Sequence, residues 1–408
     1  MKDRIIFHVD MNNFFASVEG RGRPELRDVP YAVCGDPAMR HGIVLAKNTI
    51  AKGYGVKTGE PIFAAKQKCP SLIVLPPHYE KYEAISKAAR RIYSDYSDRV
   101  ESFGIDECWC DISAESDIKR AEELANELRA RIKRELDVTV SIGVSFNKIF
   151  AKLGSDYKKP DATTVITRDN FRRLVWALPV SDLLFVGSAT ERALSRYGIH
   201  TIGDLACTDR GFLRLILGKN GETLHTYANG EDHSPVLRKD DIPPPKSVSK
   251  SATLPYDLVS FGQLRALAHD MTEELCVRLR ELDMLGGTVG IMLKDSELHS
   301  FIKQKSLERP SLLAYDILRA AEELIRSSYT EGTPIRAFGI RISELSDYSG
   351  SQLTFDTDGV HERRERLEAT LFSLRKRYGD SVTLGQSEEF SRAKENLNAP
   401  QGFPIYRR

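Results

Sequence analysis

Residues 5–19 have the sequence Ile-Ile-Phe-His-Val-Asp-Met-Asn-Asn-Phe-Phe-Ala-Ser-Val-Glu, an apolar run that reaches an acid and continues into a second apolar segment. The β-branched and aromatic run at residues 5–9 predicts a short strand that ends at Asp10. Residues 13–19 predict a helix. A carboxylate at the end of an apolar strand is costly to bury without a partner, so Asp10 is a candidate for a charged site.

Strand and helix patterns alternate over roughly the first 165 residues, which predicts an α/β domain. Strands are predicted at residues 31–34, 43–46 and 138–144 and as a pair within 100–112, and helices at 82–96, 118–132 and 149–153. A mostly helical stretch follows at about residues 171–230.

The run Asp240-Asp-Ile-Pro-Pro-Pro245 predicts a stiff, extended linker and is the clearest domain boundary. Beyond it the elements follow in the order βαββαβ, which predicts a small four-stranded sheet with two helices on one face. The predicted elements cover residues 248–254, 264–282, 288–294, 301–305, 312–325 and 335–342. Residues after about 349 predict a tail with one amphipathic helix.

Bulk composition is that of an ordinary protein of two to four domains, with 408 residues and a formal net charge of +1. Binding to nucleic acid would therefore need local basic patches rather than an overall positive field. The six cysteines lack the paired spacing of a zinc site and favour a reducing compartment. No apolar stretch approaches membrane-spanning length. We expect a cytoplasmic monomer without membrane contact.

A second acidic signal lies in Phe103-Gly-Ile-Asp-Glu-Cys-Trp-Cys110. Adjacent acids in an apolar setting repel each other unless a cation neutralises them, and oxygen-only ligands suit Mg²⁺ or Mn²⁺. Neighbours in a regular strand point to opposite faces, so Asp106 and Glu107 could both bind a cation only if Gly104 supplies a turn or bulge. Taken alone, such a pair is more often a solvated turn, and the pattern does not decide.

Three segments together resemble the Y-family DNA polymerases, in the branch of DNA polymerase IV and UmuC-like proteins. The first is His8-Val-Asp-Met-Asn-Asn-Phe-Phe-Ala-Ser-Val-Glu19, and the second is Gly104-Ile-Asp-Glu-Cys108. The third is Ser141-Ile-Gly-Val-Ser-Phe-Asn-Lys-Ile-Phe-Ala-Lys-Leu-Gly-Ser-Asp-Tyr-Lys-Lys-Pro160. The resemblance covers about the first 345 residues in the family's order.

The resemblance implies a multidomain α/β and α+β fold, a right-hand polymerase with a ferredoxin-like palm and small fingers. A helical thumb with a helix-hairpin-helix and a βαββαβ little finger complete it. The implied boundaries are 1–19 and 78–166 for the palm, 20–77 for the fingers, 167–232 for the thumb, 233–245 for the linker, 246–347 for the little finger and 348–408 for the tail.

The resemblance also implies the site. Asp10, Asp106 and Glu107 would bind two Mg²⁺ ions, helped by the Met11 carbonyl, with Mn²⁺ as a possible substitute. Phe15 matches the family's steric gate, the ring that clashes with a ribose 2′-hydroxyl. The triphosphate would be bound by Phe14, Thr49, Lys52 and Lys159, although packing on a helix face also explains Phe14.

The chain departs from the family mostly in the fingers, where Ala46, Thr49 and Lys52 replace a threonine, a tyrosine and an arginine. A lysine is a point charge and cannot reproduce the bidentate grip of a guanidinium group, although Lys47 could compensate. The family's second acid in the first motif is Asn12 here. These changes predict activity with altered nucleotide affinity.

Two regions are candidates for DNA contacts. Gly187 and Gly198 belong to a segment similar to the family's helix-hairpin-helix, in which Ser188 replaces a second glycine. The basic residues of the little finger are expected on the face of its sheet, with steep salt dependence of DNA binding; they are Lys246, Lys250, Lys294, Lys303 and Lys305. In the tail, Gln352, Leu353 and Phe355 resemble the peptide that docks on the sliding clamp.

The resemblance therefore implies a template-directed, low-fidelity DNA polymerase for translesion synthesis, acting on primer-template DNA and dNTPs. Short fingers would discriminate less by the shape of the nascent base pair. One alternative is a catalytically weakened relative that acts as a DNA- and partner-binding adaptor, which the retained Asp10, Asp106 and Glu107 argue against. The other is a nucleotide cyclase on a similar palm, which would need neither the thumb hairpin nor the C-terminal module.

Overall fold

The computed structural model describes residues 4–115, 117–348 and 360–378. The chain divides into two compact units, one of Met1–Gly35 and Ile43–Ile242 and one of Asp36–Gly42 and Pro243–Arg408. Within the described ranges, no helix has the length and apolarity needed to cross a membrane.

The strands of the first unit form two sheets. They are β1 (Ile6–Met11), β2 (Tyr31–Cys34), β3 (Val44–Lys47), β4 (Ile73–Leu75), β5 (Val100–Ser102), β6 (Glu107–Asp111), β7 (Val140–Ser145) and β8 (Thr163–Ile166). The larger sheet has the order β5-β6-β1-β7-β8 and the smaller one β3-β2-β4. Because β1 is the central strand of the larger sheet, all of its residues are buried.

Helices cover both faces of the larger sheet. The helices of this unit are α1 (Phe14–Gly20), α2 (Thr49–Gly53), α3 (Ile62–Lys68), α4 (Tyr79–Ser94), α5 (Ile118–Leu136), α6 (Lys148–Tyr157), α7 (Phe171–Val175), α8 (Ser188–Ser195), α9 (Ile202–Cys207), α10 (Arg210–Leu217) and α11 (Lys219–Ala228). Phe7, Val9 and Met11 share a core with α4 and α5. Ile6 and Trp109 pack with Ala151 of α6 on the opposite face, and α7–α11 contribute to a third core.

The close packing of α6 on β7 depends on Gly143. A Cβ at this position would lie 1.8 Å from the carbonyl oxygen of Ala151 and 2.5 Å from the amide nitrogen of Ser155. Contacts this short are impossible, so only glycine lets the helix approach the sheet to this distance. The glycine therefore determines where the side chains of α6 lie relative to β1 and β6.

The second unit has the predicted βαββαβ order. Its elements are β9 (Ser247–Leu258), α12 (Phe261–Glu281), β10 (Met284–Asp295), β11 (Ser300–Ser311), α13 (Ala314–Ser328), β12 (Ile335–Asp347) and α14 (Val360–Tyr378). The strands form one antiparallel sheet in the order β11-β10-β12-β9. Alternate residues of β10 (Val289, Ile291 and Leu293) share a buried core with α12 and α13. The face away from these helices is called the open face below.

Candidate active site

Two of the three candidate carboxylates lie opposite each other on adjacent strands. β1 and β6 are antiparallel partners, and Asp10 pairs with Glu107 in their register. Asp106 belongs to the bend at residues 103–106 that joins β5 to β6, so the alternation of a regular strand does not apply to its side chain. Its carbonyl accepts a hydrogen bond of 3.2 Å from the N–H of Met11. The turn that the sequence required near Gly104 is therefore present.

Burial changes the acidity of Asp10 and Asp106. Burial raises the pKa of Asp10 to about 7, although Lys159 Nζ donates a hydrogen bond of 2.7 Å to its Oδ2. Burial and the negative charge of Glu107 together raise the pKa of Asp106 to about 6. Two acids that ionise near neutral pH at one place indicate a point where a bound cation would be favoured.

Glu107 has a different environment from the two aspartates. Its Oε2 lies 3.3 Å from His8 Nε2 and accepts a hydrogen bond of 2.7 Å from Lys152 Nζ. Burial raises the pKa of Glu107, but His8 and Lys152 outweigh that effect and lower it to about 2. The other ring nitrogen of His8 lies 2.8 Å from Ser155 Oγ. Glu107 is therefore ionised at neutral pH and is held by groups from β1 and α6.

Trp109 packs against His8, next to the candidate carboxylates. Its ring centroid lies 5.3 Å from that of His8 and 4.4 Å from Lys148 Nζ. The indole Nε1 donates a hydrogen bond of 3.0 Å to the carbonyl of Lys148, whose ammonium pairs with buried Glu101 at 2.7 Å. These contacts hold the indole on the α6 side of the sheet, the side to which Asp10 and Glu107 also belong.

As placed, the three carboxylates do not converge on one point. Lys159 donates a hydrogen bond of 2.7 Å to Asp10 and lies at the same distance from Asp156, while Lys152 binds Glu107. In the part of the chain that the structure describes, no three His, Cys, Asp or Glu side chains form a ready-made metal site. The donor set nevertheless fits a hard divalent cation, because it consists of carboxylate oxygens next to backbone carbonyls.

Comparison with known proteins identifies the family. The sequence model of the impB/mucB/samB family matches residues 9–156, which contain all three carboxylates, and the model of that family's C-terminal domain matches residues 245–355. DNA polymerase IV of Acetivibrio thermocellus is 47% identical to this chain over 92% of the chain and 95% of that protein. The chain belongs to the Y family of DNA polymerases. Polymerases transfer phosphoryl groups with divalent metal ions.

Further relatives and solved structures agree with this family. DNA polymerase IV 1 of Bacillus subtilis is 36% identical over 93% of this chain and 92% of its own length. A Y-family DNA polymerase chimera of Dbh and Dpo4 matches with a TM-score of 0.74 and 25% identity, over 84% of this chain and 99% of the chimera. Dbh DNA polymerase in an insertion ternary complex matches with a TM-score of 0.60 and 24% identity over the same shares. The chain is a template-directed DNA polymerase with the fold of its family.

In this Y-family polymerase the two phenylalanines of the first motif lie in different surroundings. The ring of Phe14 is buried in the core, which confirms the packing interpretation of that side chain. Any contact of Phe14 with a nucleotide must therefore come from its backbone. Phe15 is half-buried and stacks on Tyr82, with ring centroids 4.2 Å apart.

The segment in which Ala46, Thr49 and Lys52 depart from the family's sequence lies partly beside the first motif. Thr49 is the first residue of α2, and its Oγ1 accepts a hydrogen bond of 3.3 Å from Asn13 Nδ2. Lys52 is exposed, and Lys47 donates a hydrogen bond of 2.8 Å to Thr58. Burial and the positive charge of Lys52 lower the pKa of Lys47, so the two lysines share one electrostatic environment.

Asn12 is committed to neighbouring polar groups of the polymerase. Its Nδ2 donates a hydrogen bond of 3.1 Å to Thr139 Oγ1, and its Oδ1 accepts one of 2.9 Å from Ser141. An amide satisfies both partners, because it combines a donor and an acceptor in one side chain. A carboxylate at this position could not donate to Thr139.

The predicted helical hairpin of the polymerase is formed by α8 and α9. Gly187 directly precedes α8, and Gly198 has a φ of +74° in the connection between the helices. A Cβ at either glycine would meet nothing within 4 Å, so both positions leave room for a close backbone approach. Ser188, which replaces a family glycine, is the first residue of α8.

The prediction that the basic residues of the C-terminal sheet share one open face is wrong for three of them. Lys303 and Lys305 pair with the core residues Ile291 and Val289, and Lys250 pairs with Ile340, so all three lie on the helix side.

Contacts of these three lysines agree with that placement. Lys303 Nζ donates a hydrogen bond of 3.3 Å to the carbonyl of Ser327 in α13, Lys305 binds Glu323 of α13, and Lys250 binds Glu274 of α12. This arrangement could not be predicted from the sequence alone. The register of a strand with its neighbours determines which of its residues face the helices.

Lys294 lies on the open face of the C-terminal sheet, as predicted, and Lys246 is exposed just before β9. Arg341 is a further open-face cation that the sequence analysis missed; it is exposed and pairs with Gly290 and Ser249. The clamp-peptide candidates Gln352, Leu353 and Phe355 lie outside the described residues.

Sequence reasoning also missed the side chains that hold the carboxylates. His8 precedes Asp10 by two residues in β1, which places both on the same face of the strand. Lys152 follows Lys148 by one helical turn in α6, so the two share a helix face. These spacings were available in the sequence, but they indicate a shared face only once the strand and helix are known to pack together.

Proposed function

We propose that this polymerase extends a primer 3′-hydroxyl with dNTPs at Asp10, Asp106 and Glu107, and that it serves low-fidelity translesion synthesis in DNA repair. The proposal rests on the pairing of Asp10 with Glu107 in adjacent strands. Asp106 lies next to them, because its carbonyl accepts a hydrogen bond from the N–H of Met11. Carboxylates that lie close together and largely out of solvent need a compensating charge, and the raised pKa values of the two aspartates reflect that need.

Two Mg²⁺ ions would be held by Asp10, Asp106 and Glu107, with the Met11 carbonyl as a backbone ligand and Mn²⁺ as a possible substitute. Bound ions would supply charge stabilisation to the oxygens that gain and lose a bond in phosphoryl transfer. For the carboxylates to bind them, Lys159 and Lys152 have to release Asp10 and Glu107. His8, which is buried against Glu107, lowers the pKa of that carboxylate and so favours its ionised form.

The incoming nucleotide would be bound by residues on both sides of the first motif. Lys159 would move from Asp10 to the triphosphate, a step of a few ångströms for a long side chain. Thr49 and Lys52 would reach the phosphates from α2, and Phe14 would contribute its backbone. Phe15 would exclude ribonucleotides by blocking the space of a 2′-hydroxyl.

The thumb and the little finger would hold the DNA. We assign residues to the palm (1–19 and 78–166), fingers (20–77), thumb (167–232), linker (233–245), little finger (246–347) and tail (348–408). Gly187 and Gly198 would contact phosphates through nearby backbone N–H groups, and Lys246, Lys294 and Arg341 would supply the cations of the little finger. The enzyme would work in the cytoplasm, where bacterial primer-template DNA lies.

An adaptor with weakened catalysis is the second candidate function. It is favoured by the lysines on Asp10 and Glu107, because carboxylates that keep those partners would not gather around a cation. The exposed Lys52 in place of the family's arginine points the same way, since it binds phosphate less specifically.

Primer extension on a primed template with Mg²⁺ tests the two candidates. We expect extension with dNTPs and not with rNTPs, and its complete loss in Asp106→Ala. Extension with rNTPs should appear in Phe15→Ala. DNA binding without extension in either Mg²⁺ or Mn²⁺ would leave the adaptor as the function of this chain.

Docking on the sliding clamp through Gln352, Leu353 and Phe355 is a separate proposal. Its support is the likeness of the tail peptide to the clamp-binding sequence of bacterial polymerases. A pull-down with the clamp should recover the wild type and not the variant with Leu353→Ala and Phe355→Ala. Equal recovery of both proteins would remove the proposal.

A further inference from the structure

Glu19 is a buried acid that the proposed chemistry does not use. Its side chain is at the end of α1 and has no exposed surface. Oε1 accepts a hydrogen bond of 2.7 Å from the Tyr82 hydroxyl and lies 2.8 Å from His78 Nδ1. Lys81 and Arg23 place cations 3.7 and 3.8 Å from Oε2. A carboxylate surrounded by donors in this way is ionised and fixed in position.

The acidity of Glu19 agrees with these contacts. Burial raises its pKa, but the hydrogen bonds from Tyr82 and His78 and the neighbouring positive charges outweigh burial and lower it. The group is therefore a permanent acceptor at neutral pH, and it does not depend on a ligand for its charge.

Tyr82 connects Glu19 with the gate residue Phe15. The two rings are stacked, with centroids 4.2 Å apart and planes at 10°. Tyr79 meets both rings edge-on, 6.1 Å from Phe15 and 5.8 Å from Tyr82. The hydroxyl of Tyr82 also accepts a hydrogen bond of 3.0 Å from the N–H of His78. One end of Tyr82 is thus fixed by polar contacts, while its face packs against Phe15.

The precision of a steric gate depends on such support. A ribonucleotide differs from a deoxynucleotide by one oxygen atom, so a displacement of the blocking ring by about 1 Å relieves much of the clash. A half-buried phenylalanine can make such a movement through its two side-chain torsions unless a neighbour prevents it. Stacking on a ring that cannot itself shift removes that freedom.

We propose that Glu19 and Tyr82 are positioning residues for sugar selection. Glu19 fixes the hydroxyl of Tyr82, and Tyr82 holds Phe15 where it excludes the ribose 2′-hydroxyl. This inference rests on the proposed role of Phe15, and it assigns a function to the acid that ends the first motif.

Two variants remove the support without removing the gate. Tyr82→Phe keeps the stacked ring and deletes only the hydroxyl, and Glu19→Gln keeps the shape and deletes the charge. The ratio of kcat/KM for rNTP to that for dNTP should rise roughly three- to tenfold in Tyr82→Phe, the range that the loss of one hydrogen bond allows. The rise should be smaller in Glu19→Gln, because its amide oxygen still accepts the bond without a charge. The kcat/KM for dNTP should stay within about twofold of wild type, because the carboxylates and Lys159 are untouched.

Tyr96→Phe is the matched control. Tyr96 lies two residues beyond α4 and donates a hydrogen bond of 3.1 Å to Glu127, so this variant also deletes one tyrosine–glutamate bond. Its sugar selection should be that of wild type. Thermal midpoints of all variants separate a change in selectivity from a general loss of stability, and Glu19→Gln serves as the test if Tyr82→Phe fails to fold.

Combination with Phe15→Ala distinguishes positioning from other effects. In that background Tyr82→Phe and Glu19→Gln should add nothing to the ribonucleotide use, because no gate ring remains to be held. A full additive effect in the absence of Phe15 would overturn the inference. So would unchanged selectivity of Tyr82→Phe while Phe15→Ala gains ribonucleotide use. If Phe15→Ala itself gains none, the proposed gate fails, and the positioning role fails with it.

Discussion

Asp10 is buried and Asp106 is half-buried, and both have pKa values near neutrality, which gives cation binding a pH dependence. Protons and the cation compete for the same oxygens, so the apparent affinity should be about twentyfold weaker at pH 6 than at pH 8 for pKa values of about 7 and about 6. The rise in thermal midpoint with Mn²⁺ concentration measures that affinity. Equal affinity at the two pH values would contradict the assignment.

Without added cation, the contribution of Asp10 to the stability of the fold should decrease as the pH rises. The folded pKa of Asp10 lies above its usual value of 3.8, so its contribution to stability is complete below that pH and is lost as the pH rises through about 7. Asp10→Asn should remove most of this dependence and also the Mn²⁺ effect. A variant that keeps both would show that another group is responsible.

At the residue scale the sequence was sufficient for the groups that carry charge within a recognisable motif. Asp10 and the Asp106–Glu107 pair could be named as candidate cation ligands only through the resemblance of their motifs to a known family, because the acidic pair alone fits a solvated turn equally well. His8 and Lys152 could not, because their contacts with Glu107 arise only when β1, β6 and α6 are brought together. The alternation problem posed by the adjacent acids was solved by a bend that ends at Asp106.

At the scale of elements, the packing of α6 on β7 is the contact on which the site depends most. Gly143→Ala should cost about 3 kcal/mol of unfolding free energy, the upper end for overpacking, because its Cβ would collide with backbone atoms that cannot rotate away. Urea unfolding measures the change. Gly53→Ala is the control, since a Cβ at that exposed position meets nothing within 4 Å. A loss below 1 kcal/mol would mean that α6 can shift without harm.

Long periodic elements were predicted more completely than short ones, although the four-residue strand β2 was predicted with its observed bounds. The patterns for α5 and for the βαββαβ module were sufficient, because each extends over several turns or strands. Among the strands and α-helices of the described ranges, β4, β8, α2 and α3 were missed: β4 has 3 residues, β8 has 4 and α2 has 5, too few for a period to show. α4 begins at Tyr79, three residues before the prediction, and those residues include Tyr79 itself, which meets Phe15 edge-on.

At the scale of the whole molecule, a net charge of +1 means that DNA binding depends on local groups of cations, and not every lysine of the C-terminal sheet belongs to such a group. Lys250 and Lys305 form ion pairs with acids of the helices α12 and α13, so they are not available to bind a polyanion on the open face. DNA affinity should therefore depend on salt less steeply than the lysine content of the sheet suggests.

Single substitutions test which cations face the DNA. Arg341→Ala and Lys294→Ala should each reduce the slope of log affinity against log salt by about one, while Lys303→Ala and Lys305→Ala should leave it unchanged. Fluorescence anisotropy with a labelled primer-template over a range of KCl concentrations gives the slopes. Equal losses from both pairs of variants would place DNA on the helix side as well.

The position of Trp109 allows cation binding at the site to be followed by intrinsic tryptophan fluorescence. The chain contains two tryptophans, and the other, Trp176, packs among the helices α7–α11. In a Trp176→Phe background the emission would come from the indole that packs against His8 and Lys148, on the same side of the sheet as Asp10 and Glu107. Paramagnetic Mn²⁺ would quench that emission and diamagnetic Mg²⁺ would not, so occupancy could be titrated in solution without substrate, label or turnover.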